Sequence, residues 1–132
     1  MTRQCSKGFS MTFVSYAQNF EDVLLWRALA HLKTGFYIDV GASHPDTDSV
    51  TRAFYDRGWH GINIEPTAAS YTRLVAARPR DTTLCMALGS QPGTARFYAV
   101  EGAASGLSTL DADAAAQYAG MGFHSTETQV EV

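Results

Sequence analysis

The segment FYIDVGASHPDTDS, residues 36–49, places an acid, a glycine and a polar loop at the end of an apolar run. Phe36, Tyr37 and Ile38 lead into Asp39, Val40 and Gly41. A carboxylate at the end of a buried strand is costly unless a partner or a ligand uses it. Further along, HGINIEP ends a second apolar run in Glu65. Acids at the carboxyl ends of two strands, with a glycine turn after the first, suit a nucleotide-like cofactor.

A dinucleotide would call for G-x-G-x-x-G, whose later glycines admit the pyrophosphate and a closely packed helix. Here Gly41 is followed by Ala42, Ser43, His44, Pro45 and Asp46, so those glycines are missing and an acid stands where it would repel phosphate. No G-x-x-x-x-G-K-[ST] run occurs either. These absences argue against a nicotinamide-dependent oxidoreductase domain, the remaining enzymatic alternative. S-adenosyl-L-methionine has no phosphate, so a single glycine giving close backbone approach suffices. Its ribose hydroxyls want a carboxylate such as Glu65, and its cationic sulfonium suits oxygen-rich surroundings. Its own carboxylate suits a helix N-terminus such as the one expected near Ser49. On the motif alone, a turn glycine and a solvated strand-end glutamate remain the competing reading.

The elements that must hold these residues follow from patterning. YAQNFEDVLLWRALAHLKTG predicts a helix with Asn19 as cap, Glu21 and Asp22 in its first turn, and Leu25, Ala28, Leu29 and Leu32 along one face. The strand FYIDV follows. A second helix is expected from Asp48 or Ser49, carrying Val50, Ala53 and Phe54 and stopping at Gly58. After the strand HGINI, a third helix starts near Thr67, shows Tyr71, Leu74 and Val75 at helical spacing, and is closed by Pro79. TTLCMAL reads as a third strand, and the turn Gly89 to Gly93 leads to TARFYAV, expected to form a hairpin with it. A small-residue loop from Gly102 to Gly106, the helix DADAAAQYAG and a final alternating strand STETQVEV complete the chain. Strand–helix–strand–helix–strand predicts a right-handed parallel α/β sheet, with ligands beyond the carboxyl ends of its strands.

The chain has 132 residues, 45% hydrophobic and 17% charged, which fits one globular domain rather than a disordered segment. A net charge of −3 gives no electrostatic reason to expect nucleic acid or an anionic membrane as partner. Cys5 and Cys85 lack metal-ligand spacing and are expected to be a terminal thiol and a buried strand residue. MTRQCSKGFS shows no apolar signal core and no run approaches a membrane span, so the cytoplasm is the expected compartment.

Three segments, YAQNFEDVLLWRAL, GFYIDVGASHPDTDSVTRAFYDRGWHGINIEP and GLSTLD, together resemble the FkbM-type S-adenosylmethionine-dependent methyltransferases. The resemblance implies a Rossmann-like class I methyltransferase fold with parallel strand order 3-2-1, and O-methylation of a sugar or natural-product hydroxyl. It divides the chain into a loose segment 1–14 and a methyltransferase domain 15–132. By this resemblance Asp39, Gly41 and Ala42 line the cofactor loop and Glu65 takes the ribose. Gln18 and Glu21 match a polar pair near the methionine end, and Ala87 and Leu88 match the segment beside adenine. Val50 stands where relatives often carry Asn, which puts one contact in doubt.

The family continues with a fourth strand carrying an acidic motif resembling L-K-I-D-x-E-G, and this sequence ends at Val132 before it. The expectation is therefore a partial domain, with FYIDV as an apolar edge that invites self-association. Two readings stay open: a methyltransferase acting on a small-molecule or glycan hydroxyl, and an inactive remnant or cofactor-binding module of the same fold. No residue is assigned to catalysis and no metal is expected. His44 is expected to serve loop polarity, Tyr55 and Trp59 packing, Asp56 and Arg57 a solvated face, and Asp111 with Asp113 a helix start.

Overall fold

A computed structural model of the chain describes residues 12–132. In order these are α1 (Glu21–Leu29), β1 (Phe36–Val40), α2 (Arg52–Tyr55), β2 (His60–Ile64), α3 (Ala68–Ala77) and β3 (Thr82–Leu84). There follow β4 (Thr94–Val100), a short 3-10 helix (Gly102–Leu107), α4 (Ala112–Gly120) and β5 (Ser125–Glu131). The first three strands form a parallel sheet in the order β1-β2-β3, with Phe36 opposite His60 and Ile62 opposite Thr82.

β4 does not pair with β3. It forms a separate antiparallel ribbon with β5, in register from Thr94 opposite Glu131 to Val100 opposite Ser125. The reason is length and side-chain match. β3 ends at Leu84, short of the expected TTLCMAL, whereas β5 offers seven residues to the seven of β4. Phe97 of β4 and Val130 of β5 then close on Ala87, which the chain brings in by an Ala87 N–H bond to the Glu131 carbonyl.

Two helix starts also differ from expectation. Asn19 does not cap α1: Phe20 holds that position at φ 61°, and both the backbone N–H and the side-chain amide of Asn19 donate to the Glu21 carboxylate. Residues 48–50 do not begin α2, because Asp48 lies at φ 54° and the Ser49 N–H is held by the Tyr16 carbonyl. The helix can start only after Thr51.

The inward face of α1 is not the leucine stripe. Leu24, Leu25 and Leu32 are exposed, while Asp22 is fully buried and Trp26 stacks on Phe13 and meets Phe54 edge-on. Of the segment 1–14, residues 1–11, with Cys5, lie outside the described residues. Asp22 is buried at no penalty of pairing, since Ser15 Oγ and the N–H groups of Tyr16 and Val23 donate to it at 2.7–2.8 Å. Arg57 is not on a solvated face either. Its guanidinium lies 4.4 Å from the Phe13 ring centre and 4.8 Å from that of Trp26, and it donates to the Ala53 carbonyl. Cys85 is exposed rather than buried.

Tyr55 and Trp59 pack as expected, within a core that also holds Ala53, Phe54 and Leu74. Gly61 is required by close approach: a Cβ there would collide with the Tyr37 carbonyl and ring. Alternation along β1 divides the sheet into two unlike faces. Tyr37 and Asp39 point to the side shared with buried Asn63 of β2, whereas Phe36, Ile38 and Val40 are 55–60% exposed on the other. No helix among the described residues is long and apolar enough to cross a membrane.

Candidate cofactor-binding site

At the carboxyl end of β1 the chain turns sharply. Gly41 takes φ +73°, and the N–H groups of Gly41 and Ala42 both reach the Ile64 carbonyl, at 2.8 and 3.3 Å. The end of β1 is thus stapled to the end of β2, one residue before Glu65. An added Cβ at Gly41 would meet nothing within 4 Å, so glycine is needed here for its dihedral and faces open space.

Glu65 is 5% exposed. Its Oε2 accepts from the Ser43 N–H at 2.9 Å, and its Oε1 accepts from the Thr67 N–H and hydroxyl at 2.8 and 2.5 Å. One acid therefore ties the loop after β1 to the start of α3. A carboxylate offers about four lone-pair positions, and the protein fills three. Ser43, itself at φ 49°, brings its hydroxyl within 3.4 Å of that of Ser105 in the 3-10 helix.

The other residues singled out in the sequence divide into three groups. Asp39, half-buried, does not reach Glu65 by hydrogen bonds; its Oδ2 accepts from Thr51 Oγ1 at 2.5 Å, on the covered face of the sheet. Buried Ser49 turns its hydroxyl to Arg78 at 2.6 Å. Gln18 is exposed, and Glu21 bonds its neighbour Asn19. Hydrogen bonds from its own N–H and from Asn19 hold the Glu21 carboxyl below its ordinary pKa. Buried Ala87 belongs to the ribbon core with Phe97 and Val130, and Leu88 is exposed. His44 Nδ1 accepts from the N–H groups of Asp46 and Thr47, so it shapes the loop. Asp111 caps α4, its Oδ1 accepting from the N–H groups of Asp113 and Ala114.

Sequence reasoning missed the residues that hold the loop from behind. Arg78, at 0% exposure, donates to Thr51 Oγ1, Ser49 Oγ and the Pro45 carbonyl, each at 2.6 Å. Asp81 accepts from the Tyr37 hydroxyl at 2.6 Å, the Gly61 N–H at 2.9 Å and Asn63 Nδ2 at 3.0 Å. Burial first, and then Asp81, push the Tyr37 phenol well above the ordinary tyrosine range. The signal available was the charged run Arg78-Pro79-Arg80-Asp81, of which only Pro79 enters the sequence reading, as a helix stop.

The side chains gathered around the turn, those of Ala42, Ser43, Glu65 and Thr67, include no cation. Such a set fits a cofactor that offers hydroxyl donors and a positive centre, and does not fit a pyrophosphate. In parallel α/β sheets ligands bind beyond the carboxyl ends of the strands, which is where this acid and glycine turn stand. The family model described as the methyltransferase FkbM domain matches residues 39–132, and the chain belongs to that family. No curated protein and no solved structure matches it.

Proposed function

We propose that this protein binds S-adenosyl-L-methionine at the turn between Gly41 and Glu65, in a Rossmann-like arrangement, and serves O-methylation of a sugar or natural-product hydroxyl. The observation that carries the reading is Glu65: a buried carboxylate held by Ser43 and Thr67, with one lone-pair position left, beside a turn whose glycine faces open space. When bound, the cofactor supplies an electrophilic methyl group on a sulfonium. Glu65 would accept from ribose hydroxyls, and the backbone at Gly41 and Ala42 would allow the close approach a side chain would block. Methyl transfer is an in-line displacement, so placement of donor and acceptor carries much of the rate. A base for the acceptor hydroxyl is not assigned.

Calorimetry with S-adenosylhomocysteine tests the cofactor. Glu65→Gln keeps the shape and the bonds to one oxygen but removes the charge. It should weaken binding by about 1.5–3 kcal/mol, the scale of hydrogen bonds to a charged group. Equal affinity in the two proteins would refute the assignment. A donor-turnover assay with hydroxyl acceptors then separates a methyltransferase from a module that only binds the donor.

A further inference from the structure

A fully buried guanidinium is an expensive group unless charge or hydrogen bonds compensate it. Arg78 has no carboxylate within ion-pair distance among the described residues, whose ion pairs involve Arg52 and Arg96 instead. Its hydrogen-bonded compensation comes from three neutral oxygens, the Pro45 carbonyl, Ser49 Oγ and Thr51 Oγ1, while its buried Nε has no partner. All three lie in the loop between β1 and α2, and Arg78 itself closes the far end of α3. Thr51 passes the contact on, since its hydroxyl donates to Asp39. Both Arg78, at 5.8 Å, and its neighbour Arg80 lie over the Tyr55 ring, but their hydrogen bonds differ. Arg80 donates to the Tyr55 carbonyl and covers the Tyr55 ring at 3.8 Å, gripping α2 and not the loop.

We infer that Arg78 is a positioning residue for the cofactor site: its planar fork fixes the path of residues 43–51 and so the place of the Ser43 N–H against Glu65. The inference rests on the proposed cofactor reading for its functional half and on geometry alone for its structural half. The loop needs such a fixture because two of its residues, Ser43 and Asp48, sit at positive φ without being glycine. Positive-φ backbone at non-glycine residues persists only where surrounding contacts over-determine it. A lysine would place one compact charge where the fork places separate donors on three acceptors, so the conservative exchange does not conserve the function.

The test compares Arg78→Lys, Arg78→Met and Arg80→Met in the full 132-residue chain, with Thr51→Val as a milder change should the Arg78 variants fold poorly. Hydrogen exchange without any cofactor reads the loop directly. Peptides covering residues 43–51 should exchange at least ten-fold faster in the Arg78 variants and in Thr51→Val, while peptides from β2 and α3 keep their protection. Arg80→Met should leave the loop at the wild-type rate. Calorimetry with S-adenosylhomocysteine, well below each melting temperature, should show at least ten-fold weaker binding for Arg78→Lys and normal binding for Arg80→Met. Unchanged loop exchange in the Arg78 variants, or in Thr51→Val alone where those do not fold, overturns the inference, as does loss of binding equal in the Arg78 and Arg80 variants. Wild-type protein that binds no S-adenosylhomocysteine would sink the cofactor reading instead, and the exchange data would still decide whether Arg78 holds the loop.

Discussion

The two faces of the parallel sheet invert the usual arrangement. The covered face carries Tyr37, Asp39 and Asn63, joined to Asp81 and, through Thr51, to Arg78. The opposite face carries exposed Phe36, Ile38 and Val40 of β1, beside half-buried Ile62 and buried Ile64 of β2, so the bare row belongs to β1 alone. Buried polar groups and exposed apolar rows are the informative exceptions in a folded protein, because each needs its own cause. On the covered face the cause is direction: hydrogen bonds fix positions that apolar packing would leave loose, and these positions set the loop beside Glu65. On the bare face no such directionality exists. Its β1 residues are interchangeable in kind and define no hydrogen-bonded geometry.

The comparison is broken most severely at Asp81. Asp81→Ala removes the acceptor of three donors, the Tyr37 hydroxyl, the Gly61 N–H and Asn63 Nδ2. Leaving buried donors unpaired should cost about 3 kcal/mol, read as a lowered midpoint in urea unfolding. A loss below about 1 kcal/mol would mean that water replaces the carboxylate and that the covered face is not a closed network.

Gly41→Val comes next. The open space around the Cβ position means that no clash drives the effect; the dihedral does. A branched residue at φ +73° should cost about 1–2 kcal/mol and abolish S-adenosylhomocysteine binding by filling the approach to the turn. A folded variant with normal affinity would remove Gly41 from the site.

Tyr37→Phe is milder, because Asp81 keeps its other two donors. It should cost about 1.5 kcal/mol at neutral pH, and its pH dependence carries the sharper test. The folded pKa of Tyr37 is raised, so its contribution is fully present below the unfolded value of about 10. It is lost as pH climbs above that value, where the unfolded chain releases a proton that the folded one retains. Wild type should therefore lose stability more steeply above pH 10 than Tyr37→Phe, and parallel curves would show that neither burial nor Asp81 raises the phenol's pKa in the fold.

How much of this could be read from sequence depended on the range of the interactions. β1 and β2 were legible as apolar runs, α3 by helical spacing, α4 by its alanines and β5 by alternation, and Asp39, Gly41 and Glu65 stand at the strand ends where the sequence puts them. The ribbon was misread because TARFYAV carries no mark of its partner; only the seven residues of β5 decide it. Arg78 was missed for a related reason. An arginine beside a proline reads as a helix terminus on the surface, and nothing local says that its acceptors lie in the loop after β1. The leucines of α1 misled in the opposite sense, since their spacing is helical yet their face is left uncovered.

The smallest change in stability should come from the bare face, with the largest change in behaviour. Ile38 is 60% exposed, so Ile38→Lys removes little buried apolar area and should shift stability by less than about 0.5 kcal/mol. Yet β1 has β2 on one side and, among the described residues, no strand on the other. Its outer N–H and C=O groups form a template for another strand, and a lysine on an edge is a common device against such pairing. We therefore expect wild-type protein to elute and scatter above its 14.3 kDa monomer mass, increasingly so with concentration. Ile38→Lys should return it to the monomer with the Asp81 network, the melting temperature and S-adenosylhomocysteine affinity unchanged. A wild-type chain that runs as a monomer with a cooperative melt would show that the apolar row needs no partner. Association that survives the lysine would place the contact elsewhere, with the exposed leucines of α1 as the next surface to charge.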